Sequence, residues 1–239
     1  MTAQPLLEVR GLVSGYGGLR VLDGLSFTVA EGEFLAIVGP NGHGKTTLLK
    51  TISGLVAARQ GTITFAGAPI ANLRPDRVVA AGLVHVPQGD LLFPDMSVRE
   101  NLLMGAYVPA AASRAHARLA EVFAFLPKLR ERQDQAAATL SGGERRMVGI
   151  GRGMMAAGKL LMLDEPSLGL APILIDQIYA LIDGLKAAGK TILLVEENPV
   201  RIFERADRAC LLDNGRFVWT GSGPELMQRP EILETYLGH

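Results

Sequence analysis

Nine residues constrain this chain more than any others: "GPNGHGKTT", running from Gly39 to Thr47. They fit the spacing G-x-x-x-x-G-K-[ST]. An apolar run, "FLAIV", precedes them and a helix-like stretch, "TTLLKTIS", carries on from their last two residues. A strand that passes into a helix through such a loop is suited to holding an anion. Gly42 and Gly44 let backbone N–H groups point inward, and the start of the helix adds a fixed partial positive charge. With this spacing Lys45 reaches the β- and γ-phosphates of a nucleotide, and the Thr46 hydroxyl is offered to Mg²⁺. Gly39, Pro40, Asn41, Gly42, His43, Gly44, Lys45, Thr46 and Thr47 are the expected phosphate cradle. At His43 the backbone, not the ring, is expected to serve.

The strand before such a loop belongs to a buried parallel sheet, and the rest of the chain reads accordingly. "LLEVRGL" and "LSFTVA" alternate apolar and polar residues, and "GTITFAG" and "GLVHVP" follow as further strands. A helix is expected from the S-x-x-E spacing at Ser97–Glu100, another over about 113–125, and a third from Ser141–Glu144 to near Gly158. The stretch 127–139 reads as polar and irregular. "KLLMLD" and "TILLVE" are strands around a helix, "ILIDQIYALIDGLKAAG". "RACLLD", an "NG" turn and "RFVWT" form a hairpin, and two short helices close the chain. Buried strands separated by helices indicate an α/β core. The helical middle looks like an insertion between its two halves.

Composition narrows the function. The chain has 239 residues, 48% of them apolar, enough for one large domain or a core with a subdomain. Lys plus Arg and Asp plus Glu number 24 each, so no net field draws the chain onto nucleic acid or anionic lipid. Cys210 has no second cysteine to pair with, which points to a reducing compartment, and it reads as a buried strand residue. No signal-peptide pattern opens the chain. No apolar run approaches the ~20 residues of a membrane span, so any membrane role passes through a partner.

Two carboxylates sit where a phosphate site needs them. "LLMLDEP" puts Asp164 at the carboxyl end of an apolar strand, the edge where open parallel sheets bind ligands. Asp164 can hold Mg²⁺ through water. Glu165, next to it, can accept a proton from an attacking water.

A third motif separates this chain from most phosphate-loop enzymes. "LSGGE", Leu140–Glu144, closely resembles the signature of ATP-binding cassette (ABC) ATPases. Tyr16 in "SGYGG" resembles the aromatic residue that stacks on adenine. Gln88 in "VPQ" resembles the glutamine that senses Mg²⁺ and the attacking water. "PQGDLLFPDMSVRENL", "LDEPSLGLAP" and "LLVEEN" look like the ATPase subunits of branched-chain amino-acid importers, and more narrowly like the second, LivF-type subunit. Close relatives of that type serve urea and short-chain amide uptake.

The resemblance implies an α/β fold: a RecA-like P-loop NTPase core with an N-terminal antiparallel β-subdomain and an inserted α-helical signature subdomain. The core would occupy about 1–88 and 159–239, and the helices 89–158. It implies an ATPase using ATP and Mg²⁺, with Glu165, Lys45 and Gln88 as catalytic residues and Thr46, Gln88 and Asp164 around the metal. Ser141, Gly142 and Gly143 would contact ATP held by an opposite protomer, either a second ABC ATPase subunit or another copy of this chain. Two integral-membrane permease subunits would dock near 88–96, where Leu91, Leu92, Phe93, Pro94 and Met96 supply an apolar patch. An external solute-binding protein would act indirectly, and nucleic acid not at all. The chain would work peripherally at the cytoplasmic face of the inner (plasma) membrane. Readings of other classes are a soluble, non-transport cassette ATPase, a P-loop phosphotransferase and a catalytically silent ATP-binding module. Balanced charge and a single cassette weigh against the first, and "LSGGE" against the second.

The chain departs from the family pattern twice. The loop after Glu165 usually carries an aspartate that crosses the dimer interface; here Ala171 holds that position. The strand after the long helix usually leads into a histidine that touches the γ-phosphate; here Glu197 stands there. The four histidines are His43, His85, His116 and His239, so no shift of register supplies one. Ionised glutamate only accepts hydrogen bonds and repels a phosphate. Glu197 thus becomes a degenerate switch position, with Glu196 expected to be its solvated neighbour.

Overall fold

The computed structural model describes residues 4–89, 91–198 and 202–229. Two sheets organise them. Strands β1 (Leu7–Ser14), β2 (Leu22–Val29), β4 (Ala58–Phe65) and β5 (Ala68–Pro69) form an antiparallel sheet in the order β2-β1-β4-β5. The second sheet contains β3 (Phe34–Val38), β6 (Leu83–Val86), β7 (Leu160–Asp164), β8 (Thr191–Glu196), β9 (Arg208–Asp213) and β10 (Arg216–Gly221). Its order is β10-β9-β3-β8-β7-β6, parallel throughout except for β10.

The apolar runs that alternation could not decode now have a reason. Strands β3, β7 and β8 are buried along their whole length, so each serves two cores. Phe34, Ala36 and Val38 point into one core with Leu161, Leu163, Ile192 and Leu194. Leu35 and Ile37 point into the other with Leu160, Met162, Leu193 and Val195. The first core is closed by helices α3 (Val98–Leu103), α5 (Ala115–Phe125), α7 (Gly142–Met155) and α8 (Pro172–Ala187). The second is closed by α1 (Lys45–Ile52) and by the antiparallel sheet, through Leu7, Val9, Phe27 and Ile63. Cys210 lies in this second core, 1% exposed, and burial pushes its thiol upward.

Capping chemistry starts the helices as the spacing predicts. Ser97 and Ser141 each accept a bond from the N–H of Glu100 or Glu144, whose carboxylate returns to the serine N–H. Ser222 repeats the device before α9 (Gly223–Met227), the first of the two closing helices; the second lies outside the described residues. Helix α7 ends at Met155, short of the expected Gly158. The stretch expected to be irregular instead holds α6 (Pro127–Glu131) and a 3₁₀ turn at Ala137–Thr139. Pro127 at the first position of α6 fixes a helical φ and spares an N–H that needs no partner. Short helices α2 (Pro75–Ala80) and α4 (Pro109–Ala112) begin on prolines in the same way.

Candidate nucleotide site

Strand order brings the separated motifs together. The neighbours β3, β8, β7 and β6 all run the same way. Their carboxyl ends therefore place Gly39, Glu197, Asp164 and Gln88 along one edge of the sheet. Val38 is in register with Glu196, and Asp164 with Val195. The resulting cleft, about 310 Å³, is lined by Asn41, Gly42, Gly44, Lys45, Thr46, Thr47, Gln88 and Glu165. That is within the usual range for a small-molecule site.

The loop has the expected geometry. Gly44 takes φ 108°, which a side chain would strain, and starts α1 without a side-chain cap or an acidic residue in the first turn. The Lys45 side chain is 2% exposed and folded back onto its own loop, donating to the carbonyls of Gly39 (2.7 Å) and Pro40 (3.0 Å). It also lies 3.1 Å from Glu165 Oε1. Gln88 Nε2 donates to the other oxygen, Glu165 Oε2, at 3.1 Å. Glu165 itself sits in the left-handed region, φ 44°, pinned by its N–H to Val195 O at 3.0 Å. Such strain in a bulky residue persists only where the surroundings enforce it, and it clusters at functional sites.

Thr46 Oγ1 donates to Asp164 Oδ1 at 3.0 Å. Burial lifts the Asp164 carboxyl to about 6, opposed by the Thr46 hydrogen bond and reinforced by the neighbouring Glu165 charge. Oδ2 of Asp164 is buried without a hydrogen-bond partner. A hydroxyl and a carboxylate side by side at a phosphate loop are hard oxygen donors of the kind Mg²⁺ uses.

The ring of His43 turns away from the cleft. Its Nδ1 lies 2.7 Å from Asp213 Oδ1, and the Asn214 N–H points at the same nitrogen at 3.2 Å. Gly215 N–H donates to His43 O at 3.1 Å. Asn214 and Gly215 are the "NG" turn, both with positive φ as a type I′ hairpin requires. The β9–β10 hairpin thus clasps the phosphate loop from outside. Tyr16 is 48% exposed in the loop that leads to Val21, whose side chain packs against Gly44.

The signature lies apart from this cleft. Ser141 is exposed at the start of α7, and neither it nor Gly142 or Gly143 lines the cleft. The link between them is Arg146, buried on α7, whose guanidinium reaches Glu165 O and Leu168 O at 3.5 Å each.

Of the two carboxylates of "VEEN", Glu196 departs from the solvated surroundings expected of it. Glu196 is 3% exposed, not solvated, and accepts from Ser167 N–H at 3.1 Å; burial raises its carboxyl above the usual range. Glu197 is exposed at the sheet edge. Ala171 opens α8 with no side-chain cap. In the apolar patch, Leu91, Phe93 and Pro94 are exposed, whereas Leu92 and Met96 are partly buried. Sequence reasoning missed what holds this loop. Asn101, fully buried, accepts from Phe93 N–H and donates to the carbonyls of Phe93, Met96 and Ser97. Arg152 donates to Leu91 O at 2.8 Å and lies over the Phe93 ring. A groove beside the patch is lined by Pro87, Met104, Tyr107 and Arg152 among others. Among the described residues, no helix is long and apolar enough to cross a membrane.

Comparison with known proteins identifies the family. The family model described as "ABC transporter" matches residues 22–168. The chain is 40% identical to the high-affinity branched-chain amino acid transport ATP-binding protein BraG of Pseudomonas aeruginosa, over 93% of this chain and 95% of that one. It is 35% identical to the probable branched-chain amino acid transport ATP-binding protein LivF of Archaeoglobus fulgidus, over 98% and 99%. The crystal structure of the ADP conformation of an ATP-binding cassette of an ABC transporter superposes with a TM-score of 0.87 at 30% identity, covering 99% of this chain and 100% of that one. By the family match, these relatives and the shared fold, the chain belongs to the ABC transporter family as an ATP-hydrolysing cassette.

Proposed function

We propose that the chain energises a membrane importer for branched-chain or other hydrophobic amino acids from the cytoplasmic face of the membrane. The carrying observation is the alignment of the phosphate loop, Asp164, Glu165 and Gln88 on one sheet edge, in a chain whose relatives bear branched-chain amino-acid transport names.

In this reading Gly42, Gly44 and Lys45 hold the phosphates, and Tyr16 stacks on the base. Lys45 leaves its pairing with Glu165 to do so, which frees Glu165 to take a proton from water oriented by Gln88. Thr46 and Asp164 would hold Mg²⁺, which would supply charge neutralisation at the phosphates. Ser141, Gly142 and Gly143 serve ATP on an opposing subunit, in keeping with their distance from this chain's own cleft. The exposed Leu91 and Phe93, with Met104 and Tyr107, offer an apolar face for a permease. The core divides at about 1–88 and 159–239, with the helical subdomain at 89–158.

Glu197, beside Lys45, Asp164 and Glu165, makes this chain's own site the slower of two in a heterodimer with a complete ATPase subunit. A lost hydrogen-bond donor at a developing charge typically costs roughly 10²–10³ in rate. Glu197→His should raise turnover of the isolated chain, and the heterodimer should exceed the isolated chain; equality in both comparisons ends the asymmetry reading. For the substrate, disrupting the gene should abolish uptake of radiolabelled leucine. Unchanged leucine uptake with loss of urea or short-chain amide uptake would transfer the same role to those solutes. A chain that co-purifies with no membrane protein would favour a soluble ATPase.

A further inference from the structure

Two orphaned polar atoms face each other behind the phosphate loop. Asp164 Oδ2 and His85 Nε2 are both buried and without a hydrogen-bond partner, 4.0 Å apart. His85 lies on β6, in register with Met162 of β7, so it shares a face of the sheet with Met162 and with Asp164 two residues on. Its side chain is 6% exposed and that of Asp164 fully buried. Nothing in the phosphate chemistry described above uses this histidine.

The contacts on the far side of the ring bear on which nitrogen carries the proton. His85 Nδ1 lies 3.1 Å from Ser53 Oγ, at the end of α1. The Ser53 hydroxyl has one other acceptor in reach, Lys50 O at 3.2 Å. That carbonyl already receives the N–H groups of Leu55 (2.8 Å) and Val56 (3.1 Å). A carbonyl oxygen has two lone pairs. With the Ser53 proton on His85 Nδ1 in place of this crowded carbonyl, a neutral imidazole carries its only N–H at Nε2, on the side of Asp164.

We propose that His85 is a positioning residue for Asp164, its Nε2–H being the donor that orients the carboxylate from behind while Thr46 holds the front oxygen. At 4.0 Å the two atoms are not hydrogen-bonded as they stand, and the role requires them to approach by about 1 Å. The role rests on the reading of Asp164 as the metal-facing carboxylate. Ligands of metals are oriented by hydrogen bonds from behind, and losing that partner typically weakens metal affinity roughly 10–100-fold.

The full chain, labelled with ¹⁵N-histidine, tests the bond first. His85→Gln identifies the His85 signals among the four histidines. The expected spectrum has the proton on Nε2, and Asp164→Asn shifts that proton resonance. A proton on Nδ1, or a resonance indifferent to Asp164→Asn, overturns the proposal. The second measurement is Mn²⁺ affinity of the ATP-loaded chain by electron paramagnetic resonance. His85→Phe, which fills the space without a donor, should weaken Mn²⁺ binding by roughly 10–100-fold, whereas His85→Gln, whose amide offers a donor at a similar reach, should stay near wild type. In an Asp164→Asn background, His85→Phe should add nothing. Wild-type affinity in His85→Phe, or equal loss in both variants, overturns the positioning role. Should Asp164→Asn alone leave Mn²⁺ affinity unchanged, the metal reading of Asp164 is what fails, and the spectrum alone then decides the His85 bond.

Discussion

Helices α1 and α7 both have glycines at their starts, Gly42 and Gly44 before α1 and Gly142 and Gly143 in the first turn of α7, yet they treat their first turns in opposite ways. Helix α1 starts on Gly44 with no capping side chain and no acid. Helix α7 starts on Ser141 with a complete capping box, and Glu144 also pairs with Arg132 at 3.2 Å. A helix N-terminus presents unsatisfied N–H groups and a partial positive charge. At α1 no side chain caps the turn, and the Lys45–Glu165 pair and the Thr46–Asp164 bond lie beside it. At α7 the chain supplies its own anion, so the signature is stable while it stands alone. Any phosphate that arrives there must share the turn with Glu144.

The sharpest way to break this comparison is at α1. Lys45→Ala should lower phosphate release by roughly 10²–10³-fold, because the charge facing the phosphates has no substitute. Turnover within tenfold of wild type would remove Lys45 from that role.

Acid provides the next contrast, because the carboxylates near the two helix starts shift in opposite directions. Asp164, raised to about 6, contributes stability present below its ordinary value of 3.8 and lost as pH rises through 6. Partial burial works on Glu144 too, but the Ser141 N–H and hydroxyl, with Arg132 and Lys128, hold it below its ordinary 4.5. Its contribution is present above that value and lost as pH falls. His85, lowered by burial to about 4, likewise loses its contribution on acidification, from 6.5 downward. Asp164 thus offsets the other two. Asp164→Asn should gain stability over wild type on the order of 3 kcal/mol more at pH 7 than at pH 4, read from urea unfolding at each pH. Parallel pH curves for the two proteins would contradict the buried, raised Asp164.

At α7 the effect is smaller. Glu144→Ala removes the return half of the capping box and should cost about 1 kcal/mol in the same unfolding assay. A change under a few tenths would mean that Arg132 and Ser141 find other partners. Smallest is the clasp outside α1. His43→Ala removes a partly exposed bond to Asp213 and should cost only about 0.5 kcal/mol, visible as faster hydrogen exchange at Asn214 and Gly215. Unchanged exchange there would show that the backbone bond from Gly215 suffices.

Much of the site was legible because its signals are local. The strand–loop–helix at Gly39–Thr47, the S-x-x-E caps and the "NG" hairpin each fix a conformation within a few residues. What was not legible depends on which strands are neighbours. That His85 faces Asp164 follows from β6 pairing with β7, and nothing in "LVHVP" encodes that pairing. The burial of Glu196 has a related cause. Every residue of β8 is buried, so alternation offers no clue to where burial stops. It stops one residue later than the carboxylate pair led us to expect. Asn101 and Arg146 were missed because a polar residue within a helix carries no mark of what it reaches.

The left-handed backbone at Glu165 has a consequence for how such a chain ages under selection. A conformation of that kind costs about 1–3 kcal/mol in a residue other than glycine. Glycine or asparagine at 165 would relieve it, at the loss of the carboxylate. Variants screened for heat resistance alone should therefore accumulate changes at this position early, whereas variants screened for turnover should keep it and find their stability elsewhere.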